Sequence, residues 1–183
     1  RLDSTNVIEP TITAITPVHY DHMDKLGDTL TKIASEKAGI LKAGVPAIVG
    51  PQSHEAAEAI RGRASELGIP VWWLGKEIKI ERMDEESFDV VTPIREHPGL
   101  YLRVAGIHQR ENAATAIGLC DWLNENQEKS ITTEHIRSAL SKVQLPGRME
   151  LFDKRRPRVI LDSAHNDISA SALAQTLRTS IQY

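Results

Sequence analysis

Three short apolar runs separated by two helix-like segments constrain this chain more than any other feature. Residues 12–18 (ITAITPV), 45–49 (VPAIV) and 69–74 (IPVWWL) are short and rich in β-branched residues. Between the first two, Leu26, Leu30, Ile33 and Ala34 recur at helical spacing. Asp28 stands as a cap before a helix body at about 29–38, with Gly39 or Gly44 to end it. Between the second and third, Ser53 opens an Ala- and Glu-rich helix over 54–67 that Gly68 closes. Strand, helix, strand, helix, strand predicts βαβ units on a parallel sheet.

The pattern changes after Gly75. Residues 76–104 alternate polar and apolar (EIKI, SFDVV, LYLRV), which predicts short antiparallel strands joined by polar turns. GIHQREN followed by AATAIGLCDWL reads as a helix with a polar head and an apolar body. Residues 133–143 form another amphipathic helix, capped by Thr132 or Thr133 with Glu134 in its first turn. Pro146-Gly147 breaks the chain, and a domain boundary is placed there, between 1–146 and 147–183. Beyond it, MELF and RVILD are two strands around a basic turn. Asp162-Ser163-Ala164-His165-Asn166 then leads into a helix over 168–179, the first half of a Rossmann-like unit.

Composition narrows the class. The net charge of −3 gives no reason to expect nucleic acid or an anionic membrane as partner. A single cysteine, Cys120, rules out an internal disulfide and makes a reducing, cytoplasmic setting the default. No apolar run approaches the roughly 20 residues that span a bilayer. The polar, turn-rich opening RLDSTNVIEP suggests a piece taken from a longer chain. GxxxxGK[ST], GxSxG and CxxC are all missing from the 183 residues, against a phosphate loop here and against common serine-hydrolase or thiol-redox chemistry.

The residues able to carry chemistry cluster after the first run, where α/β sheets place ligands. His19, Asp21, His22 and Asp24 crowd one strand end. A lone histidine there is more often structural, but oxygen ligands beside one imidazole suit Mg²⁺ or Mn²⁺. Lys37 fits the last turn of a helix, where a cation meets the helix dipole. A buried lysine near a cation can instead be carbamylated by CO₂, which converts it to an anion. Asn112 is either a helix cap or an amide edge for a base or phosphate. Arg148 is a solvated linker residue or a bidentate phosphate clamp at the hinge. Asp162 and His165 flank a turn and either shape it or reach a ribose and a phosphate.

Taken together and in order, RLDSTNVI, ITAITPVHYDHMDKLGDTLTKIASEKAGILK, GIHQRENAATAI, LPGRMEL and ILDSAHN closely resemble the folylpolyglutamate synthase / dihydrofolate synthase family of the Mur ligase superfamily. The resemblance runs over nearly the whole chain and is patchy only at about 76–104. It implies an α/β fold: a Mur-ligase-type central ATPase domain, with a parallel sheet, helices and a small antiparallel sheet, then the start of a Rossmann-like C-terminal domain. It implies an ATP- and Mg²⁺-dependent ligase that adds L-glutamate to folate, with dihydropteroate as a further acceptor left open, through an acyl phosphate. A monomer with small-molecule partners follows from the same resemblance. By position, His22 matches a Mg²⁺ ligand and Lys37 the carbamylated lysine of that metal site. Asn112, Arg148 and Asp162 match ATP-contacting residues, and His165 matches a catalytic histidine near the acyl phosphate. Asp21 has no clear counterpart role, and His19 gets no ligand role. Relatives carry the phosphate loop, the folate loops and a metal-binding glutamate upstream of RLDSTN, so these 183 residues alone are expected to be inactive. Ser163 replaces a glycine of the family turn, a costly change if that turn needs positive φ. The competing readings are another Mur-type amino-acid ligase acting on a peptidoglycan precursor, and a non-catalytic nucleotide-binding module.

Overall fold

The computed structural model describes residues 4–84, 86–127, 130–152 and 157–180. The elements follow in the order β1 (Thr13–Ile15), α1 (Met23–Leu26), α2 (Leu30–Lys37), β2 (Ala47–Val49), α3 (His54–Leu67), β3 (Val71–Trp73), β4 (Lys79–Met83), β5 (Phe88–Val91), β6 (Glu96–Leu100), α4 (Ile107–Gln127), α5 (Thr133–Lys142), β7 (Glu150–Phe152), β8 (Val159–Leu161) and α6 (Asp167–Ser180).

Strands β1, β2 and β3 form a parallel sheet in that order, with Ala14 beside Ile48 and Ile48 beside Trp72. Strand β2 is buried on both faces, which is why VPAIV reads as a continuous apolar run rather than an alternation. Ala47 and Val49 join Ile33 and Ala34 of α2 and Ala56 and Ile60 of α3 in one core. Ile48 points the other way, into a second core with Phe88, Val90, Leu100, Ala114 and Ile117. The parallel sheet is therefore a partition between two aliphatic cores. Gly118 eases the second packing: a Cβ there would come 2.3 Å from Ile78 Cδ1, so a larger residue would force the Ile78 side chain to move where α4 seats against β2.

The helix ends follow ordinary capping rules with one correction. Thr29, not Asp28, caps α2, accepting from Lys32 N at 3.3 Å, while Asp28 pairs with the Lys32 ammonium at 2.8 Å. Ser53 caps α3 by accepting from Ala56 N, and Gly68 closes that helix at φ 61° in the left-handed region. Thr132 caps α5 in a reciprocal box with His135. A short helical turn, α1, had no sequence signal.

Strand lengths correct the sequence reading in two places. The run at 12–18 yields a strand of only three residues. Pro17 has no N–H to donate, so the ladder ends with Gly50 N donating to Ile15 O at 2.8 Å. The antiparallel sheet β4–β5–β6 is as expected, but its last strand is Glu96–Leu100, not residues 100–104. Phe88 pairs with Leu100 and Val91 with Glu96. Pro98 and Gly99 hide this strand from any periodicity argument, and Pro98 is tolerated because β6 is an edge. Beyond it, Arg103 N donates to Leu140 O at 3.1 Å, tying the next segment to α5 instead of to the sheet.

A buried polar network fastens this sheet to α4. Asp121, fully buried, accepts from Thr92 Oγ1 at 2.6 Å and lies 2.8 Å from His97 Nε2. Arg95 Nε sits 2.9 Å from the other carboxylate oxygen as an ion-pair contact.

After Gly147, at φ 68°, β7 and β8 pair antiparallel, with Leu151 opposite Ile160, and lead into α6. The basic turn between these strands falls largely outside the described residues. No described helix is long and apolar enough to cross a membrane.

Candidate active site

The segment after β1 is held open by a side chain. Gln52 Oε1 accepts from Val18 N at 3.0 Å, and Gln52 Nε2 donates to Thr16 O at 3.0 Å. The amide thus takes both hydrogen-bonding positions on either side of Pro17 that a neighbouring strand would otherwise fill. Val18 is buried by this arrangement, and the residues after it, His19 and Tyr20, project outward. A lone glutamine in a loop carries no sequence signal, and this role was not foreseen.

His22 follows in a left-handed conformation, φ 48° and ψ 40°. Its carbonyl accepts from Lys25 N and Leu26 N, both at 2.9 Å, and its N–H donates to Asp21 Oδ1 at 2.9 Å. The imidazole is exposed, with Nε2 3.8 Å from Asp21 Oδ2. The same Asp21 oxygen lies 3.8 Å from Nε2 of His165, which comes from the turn between β8 and α6. Two sequence-predicted residues, 143 positions apart, thereby meet at one carboxylate.

Lys37 ends α2 with its side chain exposed, as the helix-dipole reading expects, and it is not buried in this state. Its charge reaches His19, whose imidazole is pushed toward the neutral form first by burial and then by Lys37. Among the described residues, no group of three or more His, Cys, Asp or Glu could hold a metal ion unaided. On this donor set His22 offers a single exposed imidazole to a cation, which would need its other ligands from outside this group.

A second group lies where α4 meets the β7–β8–α6 unit. His108, in the first turn of α4, is half-buried and held toward its neutral form by burial. Asp162 and Arg148 act on it with opposite signs, Asp162 raising and Arg148 lowering its proton affinity. Those three side chains are therefore neighbours. Asn112 is four residues along α4 from His108, on the same helix face. It is exposed and well inside the helix, so the capping alternative for Asn112 does not apply. Glu111, beside it, has its carboxyl pushed upward by burial. Arg148 is exposed. Asp162 ties the segment after Gly147 to its own turn: Oδ2 accepts from Met149 N and Oδ1 from Ala164 N, both at 2.8 Å. Carboxylate oxygens can each accept more than one donor, so Asp162 keeps capacity for a ribose hydroxyl.

Ser163 is no burden. Its N–H donates to Gly147 O at 2.8 Å, and among described non-glycine residues only His22 and Met149 have positive φ. The turn does not ask for glycine at that position. Asn166 opens α6, its Oδ1 accepting from Ser169 N at 2.9 Å, and His165 Nδ1 contacts Ser163 O at 2.9 Å.

Chemically, these elements offer one imidazole for a cation, an exposed lysine and a neighbouring histidine. They add the Arg148 guanidinium and Asp162 carboxylate near His108, with the Asn112 amide one turn further along α4. Polar groups at the C-terminal end of a parallel strand stand where α/β sheets place ligands. Residues 1–120 match the model of the Mur ligase middle domain, and the chain belongs to that family. It is 38% identical over 182 residues to a dihydrofolate synthase/folylpolyglutamate synthase of Bacillus subtilis, covering 97% of this chain and 42% of that protein. Its fold superposes on an FPGS–AMPPCP–folate complex with a TM-score of 0.93 and 28% identity, covering 99% of this chain and 45% of the other. Folylpolyglutamate synthase of Mycobacterium tuberculosis complexed with ADP matches with a TM-score of 0.85 and 30% identity, covering 95% of this chain and 40% of that one. The chain thus spans less than half the length of these relatives.

Proposed function

We propose that this chain is part of an ATP-dependent ligase that joins L-glutamate to a reduced folate. A domain boundary lies near residues 146–147 in this reading. The observation that carries it is the match of fold along 99% of the chain to an FPGS bound to AMPPCP and folate. The juxtaposition of His22 and His165 at Asp21 supports it from the site itself.

In this reading the folate carboxylate attacks the γ-phosphorus of ATP, ADP leaves, and an acyl phosphate forms. The glutamate amine then attacks the acyl carbon, forming the amide and releasing phosphate. Bound Mg²⁺ supplies charge neutralisation for the transferring phosphoryl group. His22 provides an imidazole ligand, and Lys37, as a carbamate, an anionic group for the same metal site. Asn112 takes the base edge, Asp162 a ribose hydroxyl and Arg148 the phosphates, while His165 stands at the acyl phosphate. Orientation of two substrates accounts for much of the rate, since little covalent work falls to the protein. Dihydropteroate is a second acceptor in this proposal, and the enzyme acts as a cytoplasmic monomer.

The test is phosphate release by the full-length protein that contains this chain, with Mg²⁺ and ATP, on adding reduced folate and L-glutamate separately and together. Release that needs both substrates supports the reading. Release driven by UDP-muramyl acceptors and not by folates assigns a peptidoglycan-type ligase instead.

A further inference from the structure

We propose that Asp21 is a positioning residue for the ligase reaction: its carboxylate sets His22 and His165 at one point, joining the β1 end to the β8–α6 turn. The inference rests on the ligase reading for its kinetic consequence, but the contact itself stands on geometry.

The carboxylate is oriented by the backbone. Oδ1 accepts from His22 N at 2.9 Å, which fixes the plane of the group and turns Oδ2 outward. That oxygen is 3.8 Å from Nε2 of His22 and 3.8 Å from Nε2 of His165. Asp21 is the more enclosed partner, with 36% of its side chain exposed against 67% for His22 and 68% for His165.

Each histidine is anchored apart from Asp21 Oδ2, His165 through its ring and His22 through its backbone. His165 Nδ1 contacts Ser163 O at 2.9 Å, so the ring is tethered on one edge and presents the other to Asp21. His22 is held through its backbone, in a left-handed conformation stabilised by the two N–H groups that its carbonyl accepts. At 3.8 Å neither contact to Oδ2 is a direct hydrogen bond. The carboxylate acts on both rings as a fixed charge. Exposed pairs of this kind add little to stability, so the consequence of Asp21 lies in where the rings point. Groups that orient metal-site and catalytic histidines from behind change activity by about 10–100-fold when removed.

The experiment uses the full-length protein carrying this chain. Asp21→Asn keeps the Oδ1 acceptor and the volume but removes the charge. The expected result is a turnover rate about 10–100-fold lower, with KM for ATP unchanged within about twofold. Asp21→Glu restores part of the loss. Combined with His165→Gln, Asp21→Asn costs less than the product of the two separate losses, as residues acting as a unit do. In parallel, Asp21→Asn shifts the imidazole ¹⁵N resonances of both His22 and His165, a readout that needs no catalysis.

Unchanged turnover in Asp21→Asn overturns the proposal, as do fully multiplicative losses or imidazole signals that stay in place. If the wild-type protein releases no phosphate with folate and glutamate, the ligase reading fails, and the resonances still decide the Asp21 contact.

Discussion

The carboxylate of Asp162 accepts the backbone N–H of Met149 at 2.8 Å, holding a residue whose φ is 50°. Its second oxygen takes Ala164 N–H at the same distance. One side chain thus fastens the segment after Gly147 to the turn that carries His165. Asp162→Ala leaves two part-buried N–H groups without their acceptor, at about 1–3 kcal/mol for each group that water does not recover. Asp162→Asn keeps one carbonyl oxygen and should cost less. Urea unfolding of the two variants beside wild type measures the order, and equal stability of all three would show that these two bonds do not fasten the segment.

The buried network at Asp121 should be the costliest polar site to break. Removing the carboxylate strands His97, fully buried, takes the ion-pair partner from Arg95 and takes a hydrogen-bond acceptor from Thr92. Asp121→Ala is expected to lose about 3–5 kcal/mol, the usual effect of removing one partner of a buried pair. Thr92→Val removes the hydrogen bond to the charged Asp121 and also the acceptor of Ile94 N and Arg95 N, and should lose at least about 1.5–3 kcal/mol. Chemical denaturation gives both numbers.

Gln52 controls the loop that presents His19 to His22. Its amide pairs with Val18 N and Thr16 O, so Gln52→Ala gives up two hydrogen bonds, each worth about 0.5–1.5 kcal/mol net. Gln52→Glu keeps an acceptor for Val18 N but sets an oxygen against Thr16 O, and should also destabilise. Amide exchange at Val18 is the direct readout: it speeds up in both variants if the clamp is real.

The pH dependence has a definite sign at two positions. Burial raises the Glu111 carboxyl above its usual 4.5, so the folded state holds the proton more tightly than the unfolded chain. That contribution is fully present below about pH 4.5 and is lost as pH rises through the folded-state value. Glu111→Gln should therefore be more stable than wild type at neutral pH, with the advantage vanishing in acid. Burial lowers the His108 imidazole below 6.5, so stability from this group is present above that pH and is lost as pH falls through the folded-state value. Comparing wild type with His108→Gln between pH 7.5 and 5 by thermal unfolding checks the second sign.

Much of this architecture was readable from residue patterns, for identifiable reasons. The run around Ile48 signals a strand buried on both faces, and Ser53 and Gly68 bracket α3 because capping and left-handed closure are local chemistry. Local patterns fail where a distant side chain replaces a ladder. The strand over 12–18 stops at Ile15 because Pro17 cannot donate, and Gln52, 34 positions after Val18, takes over. Strand β6 was misplaced because Pro98 and Gly99 carry no alternation, and only pairing with β5 selects it. At the site, the turn at Asp162 and His165 was legible as a motif. The meeting of Asp21 with both histidines was not, since it depends on how α6 and its turn return to the end of β1.

The central claim is best tested by measuring ATP-dependent phosphate release in the full-length protein, with reduced folate and L-glutamate supplied singly and jointly. Release should require both substrates together and fall by at least about 100-fold when His22 or Lys37 is replaced by alanine, consistent with loss of an electrostatic element of phosphoryl transfer. ATP bound but never turned over, or turnover indifferent to folate and to both alanine variants, would contradict the account.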